Sequence, residues 1–160
     1  MTGVPRSVNL CLRRGAPLLA AQPCARPNSR WPFAERPGLH EITCQVQRFI
    51  DRSGIENGLL TLFCRHTSAS LVVQENAAPA ARRDLERYFE RIAPESAAYE
   101  HDDEGPDDMP AHLRSALTAT QLSIPVASGR LTLGTWQGIF LFEHRRNTPE
   151  REIALHLIGE

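Results

Sequence analysis

"QLSIPVASGRLTLGTWQGIFLFEHRRNTPEREIALHLIGE", residues 121–160, holds three strand candidates in quick succession. "EIALHLIG" alternates apolar and polar side chains, the period-2 pattern of a strand with one buried face. "QLSIPV" is a second candidate. "RLTLGTWQGIFLFEHR" is long enough for two strands broken near Gly134. Strands therefore dominate the C-terminal third.

Earlier in the chain, helices fall between strands. "HEITCQVQRFIDRSGI" sets Ile42, Val46, Phe49 and Ile50 on one helical face, and Gly54 suits the helix end. "GLLTLFCRH" reads as a strand after a turn at Glu56–Gly58, and "SLVVQEN" as a shorter one. "APAARRDLERYFERIAP" reads as a helix with Pro79 in its first turn. Leu85, Phe89 and Ile92 are expected to face inward, and Pro94 ends it. "PAHLRSALTA" is a short helix with Pro110 in its first turn and Asp107 or Asp108 as its cap. No fixed repeat is visible. The expected fold is α+β: a single compact domain with a mostly antiparallel sheet and a few helices.

Composition narrows the function classes. At 160 residues the chain is the size of one domain, and 41% apolar residues suffice for a core. It has no apolar window of about 18 residues, so no membrane span is expected. A formal charge of −1 argues against nucleic acid as partner. All 18 basic residues are Arg, which excludes Schiff-base and P-loop lysine chemistry. Cys11, Cys24, Cys44 and Cys64 form no C-x-x-C pair. Reduced thiols and a cytoplasmic setting are expected.

The charge is uneven. Residues 1–34 hold five Arg and no acid, while the rest holds 13 Arg against 19 acids. The leader suits a targeting peptide, a disordered tail or an artefactual upstream extension. The expectation adopted is a disordered or artefactual extension over residues 1–30, with the folded domain at 31–160.

Six histidines are present. His40 precedes a helix and His156 lies inside an alternating strand; both suit ordinary surface or sheet roles. The other four sit where elements begin or end. His66 closes "GLLTLFCRH" and His144 closes "GIFLFEH". His101 lies in the acidic stretch "YEHDDEGPDDMPAHL" (99–113), and His112 on the first turn of the next helix. Imidazoles gathered by folding can hold a divalent transition metal, and carboxylates can orient their ring N–H groups. Alternatively, the acids merely solvate the loop and cap the helix. Neither H-E-x-x-H nor a calcium loop is present. In "RHTSASLVVQEN", the hydroxyls of Thr67, Ser68 and Ser70 and nearby backbone N–H groups can hold an anion, with Arg65 or Arg130 adding charge. An ordinary Ser/Thr turn is the simpler alternative, and the G-x-S-x-G elbow of hydrolases is missing.

Taken together, "HTSASLVVQEN", "DLERYFERIAPE", "EGPDDMPAHL", "IPVASGRLTLGTWQGIFLFEHR" and the final "IGE" resemble the YjbQ family, also called UPF0047 or the secondary thiamine-phosphate synthase family. The resemblance runs from about Phe33 to Glu160. It implies a compact α+β domain that forms homotrimers. It also implies a divalent metal such as zinc at His101, His112 and His144. His66, Thr67, Ser68 and Ser70 match the family's HTSAS segment. The implied activity joins a hydroxymethylpyrimidine diphosphate to a thiazole phosphate and releases pyrophosphate. His66, Asp107, Asp108 and Glu143 are the catalytic candidates; Thr67, Ser68, Ser70 and Arg130 are the phosphate-binding ones. Ala78 and Asp102 depart from the family pattern, and neither is itself a proposed ligand. The expected function is a metal-dependent enzyme acting on a phosphorylated small molecule. The alternative is a non-catalytic metal- and phospholigand-binding sensor or partner protein.

Overall fold

The computed structural model describes residues 6–12, 36–147 and 150–160. Its elements run β1 (Arg6–Leu12), β2 (Gly38–Glu41), α1 (Thr43–Ser53), β3 (Gly58–Cys64), β4 (Ala69–Glu75), α2 (Pro79–Ile92), α3 (Asp108–Leu117), β5 (Gln121–Ala127), β6 (Arg130–Leu131), β7 (Gln137–Glu143) and β8 (Ile153–Gly159). They form two sheets, ordered β1-β8-β3-β5-β6 and β2-β7-β4. The strand pairings are antiparallel. The α+β domain expected from the sequence is the one that forms.

The core follows from the strand period. In β3, Leu60, Leu62 and Cys64 point inward, while Leu59 and Phe63 are exposed. Leu60 sits opposite Leu157 and Ile124, and Leu62 opposite Leu155. These side chains meet Leu71, Ile139 and Leu141 of the smaller sheet, and α1 adds Val46, Phe49 and Ile50. Gly54 ends α1 at φ 68°, a left-handed position that costs glycine nothing. β7 reads as a continuous apolar run because both its faces are covered. Ile139 and Leu141 face the inter-sheet core. Phe140 and Phe142 pack with Leu39 and Phe89 under α2.

Several expectations are corrected. Residues 6–12, placed beforehand in a disordered or artefactual extension, form β1 and pair with the whole of β8, from Arg6↔Gly159 to Leu12↔Ile153. The remainder of residues 1–30 lies outside the described residues. Ile92 is 41% exposed, because the chain leaves the helix there and Ala93 becomes the buried residue. Asp107 occupies the N-cap position of α3, but its side chain makes no capping bond. Asp107 Oδ2 instead accepts from the Arg146 backbone N–H at 2.8 Å. Cys44 is disulfide-bonded, so the four thiols are not all reduced. Chain spacing carries no information on such a pairing. Cys64 is a free, buried thiol that burial pushes up to about 11.

Candidate functional site

One end of the smaller sheet carries the candidate chemistry. There Ala69 pairs with Glu143 and Ser70 with Phe142. α3 lies across this end. Ser115 Oγ donates to the Ala69 carbonyl at 3.1 Å, and His112 Nδ1 lies 3.1 Å from the Thr67 carbonyl. That contact occupies Nδ1 of His112 and leaves Nε2 for other partners.

Arg145, just past β7, gathers the acidic loop. It donates to Asp108 Oδ1, to Asp107 Oδ2 at 3.2 Å and to the Glu104 carbonyl at 2.8 Å. It also pairs with the Glu104 carboxylate at 3.5 Å, so three of the six acids in residues 99–113 face this one guanidinium. Asp102 and Asp103 are exposed and belong to the solvated part. Burial alone would raise the Asp107 pKa; the Arg146 N–H and the Arg145 charge outweigh it and hold the carboxyl below its ordinary range.

Asp108 has a divided carboxylate. It is 2% exposed, with Oδ1 on Arg145. Oδ2 lies 2.8 Å from His101 Nε2 and 3.6 Å from His112 Nε2, yet is buried without an aligned hydrogen bond. Ligand atoms of His101, Asp108 and His112 all fall within 4.8 Å of one another. A tetrahedral zinc with bonds of about 2.0–2.2 Å separates its ligand atoms by about 3.3–3.6 Å, so small side-chain rotations close the group.

His144 does not belong to that convergent group. It is 1% exposed, its ring 4.3 Å from that of Phe142. Nε2 lies 2.9 Å from Ser70 Oγ, and Nδ1 is buried with no hydrogen-bond partner. Burial first, then the Arg114 and Arg151 charges, push its pKa down to about 3, so the ring is neutral. His66 is also held below its ordinary value, by burial and then Arg151. Its Nε2 accepts from the Glu152 N–H at 2.6 Å, which leaves the neutral ring's proton on Nδ1.

Three other candidates take different roles. Glu143 is wholly buried and both its oxygens are engaged, by Arg151 at 2.5 and 2.7 Å and by the Arg145 N–H at 2.9 Å. It is an anchor rather than an available base. Ser70 is fully buried between His144 and Thr118 and cannot touch a phosphate. Arg130 sits on β6, at the far edge of the other sheet. Thr67 is exposed, and Ser68 Oγ accepts from Arg151 at 3.1 Å. Arg145 and Arg151 escaped the sequence reading because an Arg beside a strand looks like a surface charge.

A family profile described as "UPF0047 protein YjbQ-like" matches residues 31–160. The chain belongs to the UPF0047 family. UPF0047 protein sll1880 of a Synechocystis strain is 51% identical over 123 residues, 76% of this chain and 84% of that one. The UPF0047 protein YjbQ of Salmonella typhimurium is 48% identical over 130 residues, 80% and 94% of the two chains. Among solved structures, an uncharacterized YjbQ/UPF0047 protein from Clostridium acetobutylicum superposes with TM-score 0.71 at 27% identity, covering 94% and 98%. A protein of unknown function from Sulfolobus solfataricus shares the fold at TM-score 0.74 and 24% identity, covering 98% of each chain. Among the described residues, this UPF0047 chain has no helix long and apolar enough to cross a membrane.

Proposed function

We propose that this UPF0047 protein binds a divalent metal, zinc foremost, and acts on a phosphorylated small molecule with a thiamine-phosphate synthase-like transfer. The observation that carries the proposal is the meeting of His101, Asp108 and His112 around a buried carboxylate oxygen that has no hydrogen-bond donor. His144 Nδ1, the other buried ring or carboxylate atom here without a partner, is the candidate fourth donor. Two imidazoles and a carboxylate, with a third imidazole in reserve, suit zinc chemistry.

In the proposed reaction a carbon–nitrogen bond forms between the pyrimidine methylene and the thiazole nitrogen. The carbon–oxygen bond to pyrophosphate breaks, and its electron pair leaves with the pyrophosphate. A bound divalent ion neutralises charge on phosphoryl oxygens. His66 presents its Nδ1–H, and Thr67 its exposed hydroxyl, to the same oxygens. Asp108, held by Arg145 through Oδ1, turns Oδ2 toward His101 and His112. A homotrimer in the cytoplasm belongs to the same proposal. One observation favours a binding protein without turnover: the carboxylates of Glu143, Asp107, Asp108 and Glu152 are each paired with an Arg.

Two measurements test the proposal. Zinc retained after dialysis is expected to fall sharply in His101→Ala and His112→Ala and to stay unchanged in His156→Ala. Pyrophosphate release from hydroxymethylpyrimidine diphosphate and thiazole phosphate is expected to stop on chelation. Full zinc retention by both variants would overturn the metal site. Retained binding without pyrophosphate release would leave the sensor role standing.

A further inference from the structure

We infer that Ser70 and Thr118 are positioning residues that fix the proton of His144 on Nε2 and so keep Nδ1 as an open lone pair. The inference rests on His144 being one of the metal-holding residues proposed above.

A line of polar atoms starts at His144 and ends on α3. His144 Nε2 lies 2.9 Å from Ser70 Oγ, and Ser70 Oγ lies 2.6 Å from Thr118 Oγ1. Thr118 Oγ1 lies 2.8 Å from the Arg114 carbonyl. Either hydroxyl can donate across the middle step, so two proton orders exist. They are not equivalent, because the line ends on a carbonyl, which can only accept.

In one order Nε2–H donates to Ser70, Ser70 to Thr118, and Thr118 to the Arg114 carbonyl. All three contacts are then hydrogen bonds. In the reverse order Thr118 donates to Ser70 and Ser70 to Nε2. The contact to Arg114 is lost, and the ring must carry its proton on Nδ1, which is buried with no acceptor. The first order makes one more bond and orphans no donor. A buried N–H without an acceptor is the costlier defect; a buried lone pair is what a metal ligand needs. Which ring nitrogen is free to ligate is set by what the other one bonds.

The family-matched HTSAS segment thus has a divided role. Thr67 faces outward, while Ser70 turns inward onto the histidine. Ser115, one turn earlier on α3, is tied to the Ala69 carbonyl and holds the helix against β4, so the short step between Ser70 and Thr118 is set by the packing.

The test uses the full chain. Long-range proton–nitrogen NMR of the metal-free, histidine-labelled protein reads the tautomer of His144 directly. Wild type is expected to show Nε2–H. Thr118→Val removes the terminal relay while keeping the shape; each order then makes one hydrogen bond and orphans one donor, so its His144 is expected to lose the single tautomer and show Nδ1–H beside Nε2–H, with a weaker hold on zinc. Thr118→Ser is expected to restore both. Wild type with Nδ1–H, or Thr118→Val still with Nε2–H alone, overturns the inference. The tautomer is read without metal, so it decides the relay even if His144→Ala keeps full zinc affinity, an outcome that would instead remove His144 from the metal-holding set.

Discussion

Replacing Arg151 with methionine keeps most of the side-chain volume and removes the charge. Arg151 is 2% exposed and its partner Glu143 is wholly buried. The substitution deletes the bonds from Nη2 and Nε to Glu143, at 2.5 and 2.7 Å, and the bonds to Ser68 Oγ and to the Ser68 carbonyl. A carboxylate then remains in the core with one donor, the Arg145 N–H. Removing one partner of such a pair costs about 3–5 kcal/mol. For a chain of this size each kcal/mol moves Tm by about 2–4 °C, so a fall of about 6–20 °C is expected. Glu143→Leu combined with Arg151→Met removes both charges and should return to within about 1 kcal/mol of wild type, since a buried pair and an apolar one are often equivalent. Urea and thermal melts of wild type, both single variants and the double variant measure the coupling. A single-variant cost below about 1 kcal/mol would place the pair with exposed ion pairs and refute the reasoning. A double-variant cost equal to the sum of the two singles would refute it too.

Two further expectations concern stability. The folded pKa of His144 is depressed from 6.5 to about 3, so its contribution is full above pH 6.5 and is lost as pH falls towards 3, where only the unfolded chain is protonated. Between about pH 7 and about pH 4.5, urea melts in chelator should show about 2–3 kcal/mol more loss in wild type than in His144→Gln; equal losses would clear the ring. Removing residues 1–12 strips β1 from β8. The shortened chain should melt lower and associate with rising concentration, because β8 becomes an open edge; unchanged melting and a single sedimenting species would show that β1 does not dock.

The elements visible in the sequence were those with one exposed face. α1 declared itself through Ile42, Val46, Phe49, Ile50 and the closing Gly54. β3 and β8 declared themselves by alternation. β7 was visible as a strand, but its two buried faces gave no period from which to assign Phe140 and Leu141 to different sides. β2 was read as lead-in to a helix, because four residues are too few to show a pattern. β1 was obscured by its setting, a leader rich in Arg and Pro whose partner strand lies at the other end of the chain. At the site, His101 and His112 could be picked out as histidines at element ends. The pairing of Asp108 with Arg145, and of Glu143 with Arg151, could not. Each depends on bringing distant segments into register, and single charges carry no mark of whether water or protein surrounds them.

The position of β8 sets an order of events during synthesis. It follows every other described strand in the chain, yet it lies between β1 and β3 in the five-stranded sheet. Arg6 finds its partner only when Gly159 is made, and Leu12 only when Ile153 is made. At about 5–20 residues per second, β1 waits roughly 7–30 s for a strand to pair with. During that interval β3 can pair with β5, but its other edge is open. A growing chain in this condition presents unpaired backbone and the apolar side of β3 to its neighbours on the same message. The sheet closes as a late, single event, and a chain interrupted before Ile153 is left with a half-built sheet that invites chaperones or aggregation.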